Sequence, residues 1–144
     1  MTKIVYSDID EVLAALREGK PVLVTDAEDL ENEGDAIIAA QFATKEWLAW
    51  MIRHTSGYIC APMSEDRANK LDLPLMWVRS QDPHRTAYTV SVDAASRTST
   101  GISAEERALT GRVLADPNSS PDSLLRPGHV IPLRAKVGAL NGPE

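Results

Sequence analysis

The chain has 144 residues, 43% of them hydrophobic, which is enough for one ordinary core and too few for two comfortable domains, so a single domain over 1–144 is expected. Its 21 acids against 15 Lys and Arg give a formal charge of −6, and with a pI near 5.1 this argues against a nucleic-acid footprint, which needs clustered basic side chains. No apolar run approaches the roughly 20 residues that span a bilayer, the N-terminus lacks an apolar signal segment, and the lone Cys60 has no internal disulfide partner. A cytoplasmic protein with small-molecule or protein partners, and no membrane or nucleic acid, is the expectation.

In chain order, Ser7-Asp8-Ile9-Asp10 resembles a capping box, and Ile9, Val12, Leu13 and Leu16 recur at helical spacing up to Gly19, which predicts an amphipathic first helix. Pro21 to Thr25 reads as a buried strand. Directly after it comes the acidic run Asp26-Ala27-Glu28-Asp29-Leu30-Glu31-Asn32-Glu33-Gly34-Asp35. Packing like charges together is a poor stability device, so something positive or hydroxyl-rich is expected to collect there. If the run is extended, Glu31, Glu33 and Asp35 leave one face, since strand side chains alternate with period two. Such an oxygen cluster suits a hard cation such as magnesium, which takes one or two carboxylates with substrate and water. The plain alternative is a solvated acidic loop.

Ala36 to Ala40 predicts a second strand, and a helix starting near Thr44 should bury Trp47, Leu48, Met51 and Ile52 before ending around Ser56-Gly57. Tyr58 to Ala61 reads as a short strand, Ser64-Glu65-Asp66 opens a brief helix toward Leu71, and Asp72 to Thr86, with Pro74 and Pro83, reads as a loop. Ala87 to Val92 alternates like a half-buried strand. Ser103-Ala104-Glu105-Glu106 is a capping box for a helix to about Leu114, and a Pro- and Ser-rich link from Asp116 to Gly128 delivers His129 to an apolar strand, Val130 to Leu133. Helices and strands intermix throughout, so the fold class is α/β or α+β with a mixed sheet.

Four segments then stand out together: Asp29-Leu30-Glu31-Asn32-Glu33-Gly34-Asp35, His54-Thr55-Ser56-Gly57-Tyr58-Ile59-Cys60, Ser99-Thr100-Gly101-Ile102-Ser103-Ala104-Glu105-Glu106-Arg107, and Arg126-Pro127-Gly128-His129-Val130-Ile131-Pro132-Leu133-Arg134. In content and order they resemble the signatures of the 3,4-dihydroxy-2-butanone 4-phosphate synthase family. That resemblance implies an α/β fold, a homodimer with sites at the subunit interface, dependence on magnesium or manganese, and a lyase reaction of riboflavin biosynthesis. Ribulose 5-phosphate becomes 3,4-dihydroxy-2-butanone 4-phosphate and formate, through proton removal beside a carbonyl, an enediol, loss of water and rearrangement of the carbon skeleton. By position, Glu31 resembles the metal- and substrate-binding glutamate, Glu33 extends the acidic site with a catalytic role, Asp35 resembles a substrate-binding aspartate, and His129 resembles the essential histidine. Cys60 resembles a cysteine close to substrate, with a small buried thiol as its plain alternative.

From the residues alone, Gly128 allows close backbone approach beside His129, and Arg126 could bring a positive charge nearby. Arg107 and Thr110 read as helix-surface and packing residues, His54 as a partner of helix C-terminal carbonyls, and His84 as exposed. Two departures from the family pattern stand out. Leu30 occupies the place of a substrate-contacting arginine, and Ala27 that of an acid; leucine offers no hydrogen-bond donor. The chain ends at Glu144, where family members continue into an Arg-Gly-Gly-His-Thr-Glu-like motif and a later glutamate that supply a second metal ligand and phosphate contacts. The expectation is therefore a weak or inactive synthase as an isolated chain. The readings that follow are a synthase whose remaining groups come from elsewhere, a repurposed proton-transfer enzyme, or a non-catalytic binding or dimerisation homologue.

Overall fold

The computed structural model describes residues 5–26, 33–97 and 99–135. Among these, local capping signals set most helix starts. Helix α1 (Ile9–Arg17) begins where the Asp8 carboxylate accepts the backbone N–H of Asp10. Helix α2 (Lys45–His54) begins where the Thr44 hydroxyl accepts the Trp47 N–H, and α3 (Glu65–Lys70) where the Ser64 hydroxyl accepts the Arg67 N–H. Helix α4 (Ala104–Ala115) is capped by Ser103 accepting from Glu106 N–H. Each such cap stabilises a helix by about 1 kcal/mol, because it satisfies an otherwise orphaned donor.

The strands fall into two sheets. Strands β1 (Val22–Thr25) and β2 (Gly34–Ile37) form an antiparallel pair in which Thr25 faces Gly34 and Val24 faces Asp35. The second sheet has the order β3-β5-β4, with β3 (Cys60–Met63) parallel to β5 (Leu124–Arg134) and β4 (Val92–Ala94) antiparallel to it. The fold is thus α/β with a mixed sheet, as the intermixed elements indicate.

One face of this sheet carries the core. Leu71, Leu73, Val92 and Val130 are at most 1% exposed and pack with Ala68, Leu114 and Leu124 beneath α3 and α4. Burying a side chain of this size contributes about 1.5–3 kcal/mol. A second cluster, Ala43, Leu48 and Ala108, joins α2 to α4. By contrast α1 buries none of its residues, and Ile9 remains 64% exposed despite the amphipathic pattern.

Several boundaries differ from the sequence expectations. The second strand begins at Gly34 and ends at Ile37, and Ala40–Phe42 forms a 3-10 turn instead of continuing it. Helix α2 buries Leu48 and Met51 fully, whereas Trp47 and Ile52 are half-buried. The stretch before Val92 makes isolated bridges, Tyr88 to Leu133 and Thr89 to Leu75, and the strand proper lies at Val92–Ala94. Strand β5 starts at Leu124, inside the segment expected to be a link. Arg126, Pro127 and Gly128 resemble loop punctuation, yet a register irregularity places Asp93 opposite Leu125 and Val92 opposite Val130, accommodating the intervening residues in the strand.

Candidate active site

Strand β5 brings His129 to the sheet. Val130 and Pro132 point into the core, so alternation places His129 and Ile131 on the opposite face. Gly128 makes this possible: a Cβ there would lie 2.0 Å from Val92 C and 2.2 Å from Asp93 N, so only glycine permits β5 to approach β4 this closely. The close approach that the sequence suggested at Gly128 is thus real.

It sets His129 against Asp93, a residue the sequence reading passed over. Asp93 is 2% exposed, and its Oδ1 accepts the His129 backbone N–H at 2.9 Å while Oδ2 lies 2.9 Å from the imidazole Nδ1. One carboxylate therefore fixes both the main chain and the ring. Because a carboxylate is an acceptor, it favours the tautomer with the proton on Nδ1, leaving Nε2 as the ring nitrogen able to exchange a proton. The His129 side chain is 37% exposed, so a substrate can reach it.

Positive charge surrounds the buried acid. Arg97 Nε lies 4.0 Å from Asp93 Oδ2, and Arg107, on α4, interacts electrostatically with the same carboxylate. Burial lowers the Arg107 pKa from its usual value and the neighbouring Asp93 opposes that shift. Arg107 is thus more than a helix-surface residue. Arg126, in contrast, does not serve His129: its guanidinium donates to the carbonyls of Leu71, Asp72, Pro121 and Leu124 and ties β5 to the end of α3.

The acidic hairpin reaches this sheet from the side of β3. Cys60 pairs with Ile131, so the two share the face that carries His129. Burial raises the Cys60 pKa and the Asp35 carboxylate raises it further, so Asp35 stands close enough to influence the thiol. A thiol kept protonated in this way is a poor nucleophile and suits contact with substrate or packing. Tyr58, whose pKa burial and then Cys60 push upward, stacks edge-on against Tyr88 at 6.3 Å. Glu33 and Asp35 are exposed, and Asp26 closes the mouth of the hairpin by accepting the Glu33 N–H at 2.8 Å. Glu31 and Leu30 lie outside the described residues.

The remaining histidines take other roles. His54, the last residue of α2, has its ring 5.3 Å from that of Trp50, and His84 is exposed. Thr110 is fully buried and accepts the Ala94 N–H at 2.9 Å, so it is a structural tie between α4 and β4. The signal that could have revealed Asp93 is its place in the run Val90-Ser91-Val92-Asp93-Ala94, where a charge interrupts small and apolar residues. A charge so placed needs a partner.

The family profile of 3,4-dihydroxy-2-butanone 4-phosphate synthase matches residues 10–142. This chain belongs to that family. It is 51% identical over 136 residues to the 3,4-dihydroxy-2-butanone 4-phosphate synthase of Candida albicans, covering 94% of this chain and 67% of that protein. It is 53% identical over 135 residues to the riboflavin biosynthesis protein RibBA of Salinispora arenicola, covering 94% of this chain and 32% of that one. A solved synthase in complex with two magnesium ions superposes with a TM-score of 0.89 at 50% identity, over 92% of this chain and 62% of its own. The chain thus spans about two thirds of the length of those two synthases and about a third of RibBA.

The use of a divalent metal in the synthase family raises the question of whether this donor set suits one. Among the described residues no three His, Cys, Asp or Glu side chains converge on a common point. Magnesium, however, takes hard oxygen donors and needs only one or two carboxylates beside substrate and water. Glu33 and Asp35 offer such oxygens unhindered at the hairpin, so the chemistry of the donors fits.

Proposed function

We propose that this chain carries dihydroxybutanone phosphate synthase chemistry, a lyase reaction of riboflavin biosynthesis that converts ribulose 5-phosphate into 3,4-dihydroxy-2-butanone 4-phosphate and formate. The observation that carries the reading is the buried Asp93 at 2.9 Å from His129 Nδ1. The reaction starts with proton removal from a carbon beside a carbonyl, and an imidazole whose Nδ1 proton is held by a carboxylate presents Nε2 as the base. The imidazolium then formed is stabilised by the same carboxylate. Returning that proton to a departing hydroxyl is the matching acid step.

In this proposal Glu33 is a second acid-base group, while Asp35 and Glu31 bind substrate hydroxyls and the Cys60 thiol lines the site. Glu31 would hold a magnesium or manganese ion, which when bound would supply Lewis-acid stabilisation of negative charge on substrate oxygen. The absence of an arginine fork at Leu30 weakens substrate binding relative to the family pattern. Identities of 50–53% to synthases and RibBA proteins do not favour a repurposed or non-catalytic relative. The cytoplasm as the place of work, and a homodimer as the assembly, belong to the same proposal. Among the described residues no helix is long and apolar enough to cross a membrane.

The test is incubation with ribulose 5-phosphate and magnesium while formate is assayed. Formate release that His129→Ala removes without unfolding the protein supports the reading. No formate at any magnesium concentration, or release that survives in His129→Ala, overturns it.

A further inference from the structure

Among the described residues Asp93 and Glu106 are the buried carboxylates, and the proposed chemistry does not use Glu106. It is 4% exposed, and both of its oxygens are occupied. Oε1 accepts the Ser99 backbone N–H at 2.6 Å, Oε2 accepts the Gly101 N–H at 3.1 Å and the Ser103 hydroxyl at 3.0 Å, and the Ser99 hydroxyl lies 2.9 Å from each oxygen. The carboxylate therefore gathers the loop 99–103 into one conformation.

That loop rests on Asp93. Gly101 has φ +92°, and a Cβ placed on it would lie 2.1 Å from Asp93 Oδ2, the oxygen that faces His129 Nδ1. The Gly101 backbone thus covers the carboxylate side chain. A second connection runs through the main chain of Glu106: its carbonyl accepts the Thr110 hydroxyl at 2.9 Å, and the same Thr110 oxygen accepts the N–H of Ala94, the residue after Asp93. Glu106 grips both the cover of Asp93 and the strand that bears it. Among the described residues its side-chain hydrogen bonds all go to the loop 99–103.

We propose that Glu106 is the positioning residue of the Asp93–His129 pair, acting by holding the 99–103 loop over Asp93 so that its carboxylate stays dry and aligned with Nδ1. The chemistry of the site explains why a carboxylate is needed. Backbone N–H groups point at both oxygens, so an amide of the same shape can accept from only one and must direct its own N–H₂ against the other. Burial disfavours the charged form, but the bonds from Ser99, Ser103 and Gly101 outweigh it and hold the Glu106 pKa down to about 2. The anion is therefore the working form at neutral pH.

The inference rests on the proposed role of His129 for its catalytic consequence, but its structural content can be read without turnover. In the intact chain labelled with ¹⁵N-histidine, the His129 imidazole should show a single tautomer protonated on Nδ1. Glu106→Gln should convert this to a mixture with the Nε2-protonated form and lower kcat for formate release by about 10²-fold, the order expected for a misplacement near 1 Å, with a smaller change in KM. Glu106→Asp, which keeps two acceptor oxygens, should recover part of both signals. A single Nδ1 tautomer with unchanged kcat in folded Glu106→Gln overturns the inference. Should Glu106→Gln not fold, Ser99→Ala decides in its place: it deletes one hydroxyl donor and keeps the backbone N–H, and an unshifted tautomer there counts against the inference. A wild-type chain that releases no formate while its tautomer responds to these substitutions leaves the positioning role standing and removes the synthase reading.

Discussion

A buried acid beside an imidazole can act through its charge or through its acceptor geometry, and Asp93 does both with different oxygens. Asp93→Asn separates them, because the amide oxygen can still accept the His129 backbone N–H whereas the amide nitrogen then opposes Nδ1–H. The ring should turn to the wrong tautomer within an intact fold. Formate release is expected to fall on the order of 10²- to 10⁴-fold, as when a histidine base loses its orienting carboxylate, with an unchanged circular dichroism spectrum. A loss below threefold would show that Asp93 is a packing residue. His129 was legible in the sequence because Pro127-Gly128-His129 is a contiguous signature. Asp93 was not, since its partner lies 36 residues away and only strand pairing joins them. Glu106 was legible as a capping-box acid, but its burial comes from the loop 99–103 folding back upon it, which no local pattern encodes.

At the scale of elements, the helices were readable because their starting signals are local: Asp8, Thr44, Ser64 and Ser103 each accept an N–H two or three residues on. Strand β5 was not, because its residues 126–128 are tolerated through contacts made elsewhere. Arg126 is held by carbonyls of other segments, and Gly128 lies against Val92 and Asp93. Gly128→Ala should therefore force β4 and β5 apart and destabilise the protein by about 1–3 kcal/mol, as overpacking does. Gly34→Ala, whose added Cβ would meet its nearest neighbour at an ordinary 3.7 Å, should change stability by no more than about 0.5 kcal/mol. Urea midpoints with unchanged slopes would measure both. Equal effects at the two glycines would show that the β4–β5 approach is not a constraint. The strand before the acidic run forms at Val22–Thr25, but it is not buried as its apolar residues suggested, Leu23 and Val24 being exposed; residues 27–32 lie outside the described residues, so the shared face of Glu31, Glu33 and Asp35 stays a proposal.

Two properties belong to the molecule as a whole. The first is acid stability. The Glu106 pKa is depressed in the folded protein to about 2 from an ordinary 4.5, so its contribution to stability is fully present above pH 4.5 and lost as pH falls toward 2. Denaturation midpoints of the wild type should decline across that window more steeply than those of Glu106→Gln; parallel curves would mean that other carboxylates set the acid limit. The second is assembly. The sheet β3-β5-β4 has a core under α3 and α4, but α1 buries no residue, and β1 and β2 leave Leu23 72% and Ile37 42% exposed. Tyr6 at 73% and Ile9 at 64% extend this apolar surface, as do Trp77 at 68% and Val78 at 83% in the loop after α3. The amphipathic pattern of α1 was legible, and Val12 and Leu16 are half-buried with β1 beside the helix, but the sequence could not say what the still exposed Ile9 and Leu13 face. A second copy is the occupant that the family resemblance implies, and a stable pair would remove about 1,600 Å² from solvent in total. Light scattering across a wide concentration range should then give the mass of a dimer, and Ile9→Glu combined with Leu23→Glu should shift it to the monomer if these faces lie in the contact. A monomeric mass at every concentration would exclude the homodimer. A dimer unaffected by the two substitutions would move the contact elsewhere, to the Trp77 and Val78 loop, where Trp77→Glu would test it in turn.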